Sequence, residues 1–422
     1  MGAASISDAY LNQAGRFVHG YLTKDDGKVR YKIAVEDASR HKLSDPREYS
    51  GPLLQAMTAA AKGIDPRAEN FSTSREEAAD AWGHRDFEKA VALDPDFGAA
   101  WLAWTEMLIQ QRDPAKAAEV ADRALARGSL RSELDRARLD LIAATLHQDE
   151  GRRVKALGVI AKLTEDPAAM AALGDAEVNA RHFKEAEAAF QDALAANPQD
   201  SRVMLSLGYA QAYAGELNTA KATLERYGKL AGQQTNSLDS LGEAYFMHGR
   251  FTDAEKYFLG AHQSNPAFLN GADLLKAAYA RWLSGDQKGA DEIAAKYFAA
   301  PRNDPWREAS WYFSTGRREQ AIAKLKDVAD ARLAERQLAI WNAALPNDLA
   351  ALKTRYEHTP PSEDNAIRTF YAAALVKAGQ KDEARKLIAT WPLPGQQGGD
   401  PLAESLVFPT FLETRRVLGV VR

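Results

Sequence analysis

Between Pro167 and Pro266 the chain repeats itself at one fixed step. Gly174, Gly208 and Gly242 stand 34 residues apart, and the same step separates Leu173, Leu207 and Leu241. It also carries Ala186 to Ala220 to Ala254, and Phe190 to Leu224 to Phe258. Several positions recurring together at such a period specify stacked supersecondary units, not one closed core. Small residues such as Gly174 and Ala186 let two helices approach closely, while Phe190 and Tyr245 fill the gaps between units. Pro198 and Pro266 fall where a helix must stop, because the residue before proline is pushed out of the helical region. One helix pair cannot bury its apolar face alone, so the array holds together by nearest-neighbour stacking. Its natural product is a curved surface rather than a reaction centre.

This unit, with Leu-Gly early, Ala in the middle and Pro near the end, resembles the tetratricopeptide repeat. The first copy carries the pattern as Met170, Leu173, Gly174, Ala186, Phe190, Ala193 and Pro198. The third carries it as Leu238, Leu241, Gly242, Tyr245, Ala254, Phe258, Ala261 and Pro266. The resemblance implies a mostly α fold, a right-handed α–α superhelix, to which the N-terminal sequence adds a small α+β unit.

That N-terminal unit, residues 1–66, has the one clear strand pattern of the chain. Phe17 to Thr23 is rich in β-formers, Lys24-Asp25-Asp26-Gly27 reads as a turn, and Val29, Tyr31, Ile33 and Val35 alternate with Arg30, Lys32 and Ala34. A lone hairpin is barely stable in water, so Pro52 to Ala61, with Leu53, Leu54 and Met57, is the expected covering helix. Residues 6–15 suit a short helix, and His41 to Ser44 a short third strand. With Val18-His19-Gly20-Tyr21 before the alternating strand, residues 6–65 resemble the latter half of a TolB-type N-terminal α/β domain. That likeness implies an upstream portion and a periplasmic or otherwise extracytoplasmic bacterial setting, with a cytoplasmic one as the alternative.

The array spans residues 67–393. Thr73-Ser74 before Glu76-Glu77 reads as its first helix start. Residues 131–166 keep helical spacing without the small residues, which describes a degenerate pair. The step from Ala254 to Ala290 is 36, which calls for a longer loop. Residues 332–359 hold a further pair, and the whole contains about nine to ten pairs. Residues 394–422 read as a Gly-rich loop and a capping tail in which Leu406, Val407, Phe408, Phe411 and Leu412 cover the last repeat.

Chemistry is hard to find in this chain. It has no cysteine, which removes disulfides, thiolate nucleophiles and Cys-based metal sites. Its eight histidines include no pair four apart on a helix, so no zinc site is expected. No phosphate loop, dinucleotide fingerprint or nucleophile elbow occurs. We therefore expect no enzyme, no cofactor and no metal. Basic residues number 54 and acidic 58, without long blocks of either sign, which argues against nucleic acid as partner. No stretch approaches the ~20 apolar residues of a membrane span.

Recognition of a protein or peptide is the better use of such an array. The repeat family lines its concave face with positions 2, 5, 9, 12 and 13 of each first helix. On this chain that implies Asp175 and Asn179, then Arg202, Tyr209 and Tyr213, then Asn236, Asp239, Glu243, Phe246 and Met247 as candidate peptide-binding residues. The same residues have a plainer reading, in which Tyr213 and Phe246 pack against the next helix. Asp239 and Glu243 are one turn apart, but nothing in the sequence argues for the burial that would shift their pKa. Ala171, Leu205 and Asp239 stand where lysines would clamp a C-terminal carboxylate, so a carboxylate-terminal peptide is not expected. A second aromatic group runs from Trp282 through Tyr297, Phe298, Trp306, Trp311 and Tyr312 to Phe313. Most of it reads as core, with Trp306 the member expected at the surface. The alternative function is docking to a bacterial envelope or signalling system through the N-terminal β unit.

Overall fold

The structure is a computed structural model. It describes residues 16–25, 28–37, 42–66, 68, 70–230, 232–299, 305–344, 347–359 and 365–388, with Thr414 and Leu418. The expected helix at 6–15, the turn residues Asp26 and Gly27, His41, the loop at 394–399 and most of the capping tail lie outside these residues. The chain falls into two compact units, residues 1–165 and 166–422.

The first unit opens with an antiparallel sheet of β1 (Arg16–Asp25), β2 (Lys28–Asp37), β3 (Lys42–Leu43) and β4 (Arg47–Gly51), in which β2 pairs with all three others. Val29 and Ile33 of β2 are buried on the face that alternation assigns to the core. The helix α1 (Leu53–Ile64) packs on β2 and β4 and buries Leu54, Ala56 and Ala60. Arg47 donates to the Gly63 carbonyl at 2.8 Å and so ties β4 to the end of α1. Gly51, at φ 147°, turns the chain from β4 into that helix, a conformation other residues rarely adopt. Sequence reading missed β4, because Arg47-Glu48-Tyr49-Ser50 offers a single apolar side chain and no alternation.

Three helix pairs follow: α2 (Glu76–Gly83) with α3 (Phe87–Leu93), α4 (Gly98–Gln110) with α5 (Pro114–Ala126), and α6 (Glu133–Leu146) with α7 (Glu150–Thr164). Within each, a left-handed residue (Arg85, Arg112, Gln148) is followed by an Asp that caps the second helix (Asp86, Asp113, Asp149). Thr73 does not cap α2 as expected. Its hydroxyl accepts the Arg75 amide at 3.0 Å and donates to buried Asp94 at 2.5 Å, where Arg131 also binds, so it braces a turn.

Among the described residues, seven pairs make the second unit. They begin with α8 (Pro167–Asn179) and α9 (Phe183–Ala196), α10 (Ser201–Tyr213) and α11 (Leu217–Leu230), α12 (Gln234–Met247) and α13 (Phe251–Ser264), and α14 (Ala272–Leu283) and α15 (Gln287–Phe298). They continue with α16 (Pro305–Ser314) and α17 (Arg318–Leu325), α18 (Ala331–Ala344) and α19 (Leu349–His358), and α20 (Asn365–Lys377) and α21 (Lys381–Ile388). The glycines of the period sit in the seams: a Cβ on Gly174 would lie 2.5 Å from the Phe190 ring, and one on Gly208 2.5 Å from Leu224. The longer step before Ala290 is a 3₁₀ turn, Phe268–Gly271, with Leu269, Asn270 and Gly271 all left-handed. Trp306, in the first turn of α16, is partly buried against the core of Ile340 and Trp341 instead of standing at the surface. Leu418 joins the same core, and Arg385 donates to its carbonyl at 3.4 Å. Arg181, in the first turn of this unit, donates to the Ile388 carbonyl at 3.1 Å. Among the described residues no helix is long and apolar enough to cross a membrane.

Candidate functional site

The candidate residues all lie on the first helices α8, α10 and α12, as the period requires. Stacking buries these helices on several sides: α12 is buried continuously from Asp239 to Met247, and α14 has only Leu274 partly open between Ala272 and Ala280. The ten residues therefore divide. Asn179 and Arg202 are exposed, and Asp175, Tyr213 and Asn236 are half-buried. Tyr209, Asp239, Glu243, Phe246 and Met247 are buried. Arg202 pairs with Asp175 at 3.2 Å, and Asn236 donates to the Tyr227 hydroxyl at 2.8 Å. The rings of Phe183, Tyr213 and Tyr209 form a ladder with centroid spacings of 5.3 and 6.3 Å.

The buried members are organised by a residue that sequence reading did not single out. Lys276 of α14 donates to Asp239 at 2.6 Å and to Glu243 at 2.7 Å, and the Tyr209 hydroxyl donates to the other oxygen of Glu243 at 2.5 Å. Lys276, Asp239 and Glu243 are all under 8% exposed, so a cation and two carboxylates are sealed between three consecutive first helices. Asp273, 0% exposed, lies beside Asp239 and is hydrogen-bonded to it.

The electrostatics follow from burial. It raises Asp239 to about 7, Lys276 opposing and Asp273 adding to the rise. It raises Glu243 and Asp273 as well, and drives the Tyr209 phenol well above its ordinary range. Burial pulls Lys276 down, but Glu243 and Asp239 outweigh it and hold the ammonium charged. The expectation that Asp239 and Glu243 lack a shifting environment is thus corrected, since α14 closes over α12. A trace of the network was in the sequence: Tyr209 and Glu243 are one period apart. The arrangement holds charge; it does not present it to solvent. Among the described residues no group of three His, Asp or Glu side chains gathers to hold a metal ion.

A comparison with protein-family models finds no match, and no curated protein matches the chain. Solved structures do. YrrB, a protein "with an unusual peptide-binding site", is 16% identical over 46% of this chain and 97% of its own, with a TM-score of 0.38. A protein from Parabacteroides merdae is 12% identical over 56% and 96%, TM-score 0.42. The C-terminal part of one from Cytophaga hutchinsonii is 15% identical over 54% and 93%, TM-score 0.39. All three are tetratricopeptide repeat proteins. The fold itself is read from the chain: successive helix pairs after a small N-terminal antiparallel sheet.

Proposed function

We propose that this chain is a non-catalytic scaffold that holds a protein or peptide segment along the first helices of the second unit. The observation that carries this reading is the division among the candidate residues. Tyr209, Phe246 and Met247 form a rigid wall, while Asn179, Arg202 and half-buried Tyr213 remain accessible on α8 and α10. Tyr213 is held in its ring ladder, so it offers area to a ligand at little cost in entropy, and the amide and guanidinium beside it set register. The sealing of Asp239, Glu243 and Lys276 supports a binding role over a catalytic one, because a general acid or base must reach its substrate. A photo-crosslinking residue at position 213 is expected to label the partner, and one at exposed Leu230 on a second helix is not. Labelling should vanish with Asn179→Ala plus Arg202→Ala at unchanged helicity. Equal labelling from positions 213 and 230 would sink the proposal.

A second reading rests on the N-terminal sheet. Tyr21 is 74% exposed on β1 and Leu43 is 55% exposed on β3, which gives the sheet apolar side chains free to meet another surface. On this reading the TolB-like residues 6–65 dock to an envelope or signalling component of a bacterium. Deletion of residues 1–66 separates the two, since only here must binding disappear.

A further inference from the structure

The pair α18–α19 departs from the packing rule of the array. Its inner turn is the usual one, with left-handed Asn347 before the cap Asp348, as Arg181 stands before His182 in the first pair. Counted from that shared turn, Ile340 takes the place of Gly174, Leu352 that of Ala186, and Tyr356 that of Phe190. Where the seams of α8–α9, α10–α11 and α12–α13 have a glycine and an alanine, this one has two branched aliphatics. Gly174 tolerates no Cβ beneath Phe190, so Ile340 beneath Tyr356 cannot be accommodated at the same helix separation.

Beside this pair lies an open cavity of about 530 Å³, within the size range of small-molecule sites. Ile340 and Ala351 supply apolar lining. Arg336, one turn before Ile340, and Arg355 and His358 on α19 bring cationic or protonatable groups to it. Among the described residues that line it none is a carboxylate, in a chain whose net charge is −4. Arg355 is exposed and makes no ion pair among the described residues. Its backbone carbonyl accepts from the Thr359 hydroxyl at 2.7 Å, which fixes the turn from which the side chain extends. His358 donates from Nδ1 to the Thr354 carbonyl at 2.6 Å, so its orientation is set as well.

We propose that this cavity binds a small organic anion, an apolar group of about one ring bearing a carboxylate or phosphate. The apolar body lies against Ile340 and Ala351, and the oxyanion is met by Arg355 with Arg336 and His358 beside it. A guanidinium recognises either oxyanion in a two-pronged fashion. The site is separate from the peptide-binding strip on α8 and α10, and its existence does not depend on that strip.

The test is calorimetric titration of the full chain with phenyl phosphate and with benzoate, against inorganic phosphate and benzyl alcohol as the two halves of the ligand. One of the two complete ligands is expected to saturate, with each half at least about tenfold weaker, and which of the two binds tighter identifies the oxyanion. Arg355→Gln should weaken binding about tenfold or more, Arg355→Lys should retain part of it, and Lys353→Gln on the same helix should leave it unchanged. Added salt should weaken it. The proposal is overturned by no saturation with either ligand, by inorganic phosphate binding as well as phenyl phosphate, or by Arg355→Gln binding like the unaltered chain at equal helicity. Binding of an acidic peptide, with neither small anion binding, would overturn it too.

Discussion

Two junctions in the same stretch of the second unit are held by opposite means. Where α8 meets α9 and α10 meets α11, a glycine lets a ring or a leucine lie against bare backbone, and stability is spread over many small contacts. Where α12 meets α14, one ammonium serves two buried carboxylates, and much of the junction hangs on a single nitrogen. The first kind fails by overcrowding and the second by loss of balance. A close apolar contact is insensitive to solvent conditions on the scale of pH, whereas a sealed ion cluster must take up or release protons as its surroundings dictate.

The largest effect is expected at the charged junction. Lys276→Met keeps much of the side-chain volume but strands Asp239 and Glu243 without their cation, which should cost about 3–5 kcal/mol in urea unfolding. A cost below about 1 kcal/mol would show that the carboxylates simply take up protons and that the ion cluster holds nothing together. At the apolar seam, Gly174→Val should cost about 2–3 kcal/mol, since its Cβ alone meets the Phe190 ring. The splayed pair sharpens the point from the other side. Ile340→Val, in a seam already held apart, should cost only about 1 kcal/mol in the same measurement. Equal costs at positions 174 and 340 would erase the difference between closed and open seams.

These two junctions were unequally visible in the sequence, for a physical reason. Gly174, Ala186 and Phe190 are chosen by contacts inside one unit, and those contacts recur at every unit, so the period exposes them and with them the fold. The degenerate pair at 131–166 and the pair at 332–359 were still readable from helical spacing alone. Burial of α12 depends on which neighbour closes over it, and nothing local encodes that. Lys276 is at no recurrent position: at the 36-residue step into its unit it aligns with Ser240. Register puts the candidate residues on the first helices, but it does not say which faces stacking leaves open. Hence Asn179 and Phe246, named by one rule, end up exposed and buried. In the N-terminal sheet the same limit applies to β4, whose pairing with β2 is written in β2's alternation and not in its own residues.

A smaller effect probes the edge of the cluster. Tyr209→Phe removes the donor to the second oxygen of Glu243 and leaves the rest of the ring packed as before. The cost should be about 1–2 kcal/mol, the deficit of one buried charged acceptor that keeps its other partner. The Lys276→Met and Tyr209→Phe losses should also add to less than their sum in the double variant, because both partners meet on Glu243. Additivity would mean that the hydroxyl and the ammonium stabilise different things.

The remaining effect is the most specific to a charged junction, and its sign is fixed by the direction of each shift. Asp239 is raised to about 7 in the folded chain, against roughly 4 when unfolded, so folding retains a proton between those values. Its contribution is complete below pH ~4 and is lost as pH rises through about 7, with a slope of at most about 1.4 kcal/mol per pH unit. Glu243 and Asp273, raised by burial, act in the same direction. Lys276, held above its ordinary value, contributes fully across this window and loses its share only above pH ~10. Asp94 in the first unit has the opposite sign. Burial pushes it up, but Thr73 and Arg131 hold it below its ordinary value, and its contribution is lost as pH falls. The total pH profile therefore mixes both, and the useful quantity is the difference between the unaltered chain and Asp239→Asn. Across pH 5 to 8 the unaltered chain should lose stability relative to the variant, as read by chemical unfolding at each pH. The apolar seam supplies the control, since the Gly174→Val difference should be flat over the same range. A sloping seam and a flat junction would reverse the assignment of the two mechanisms.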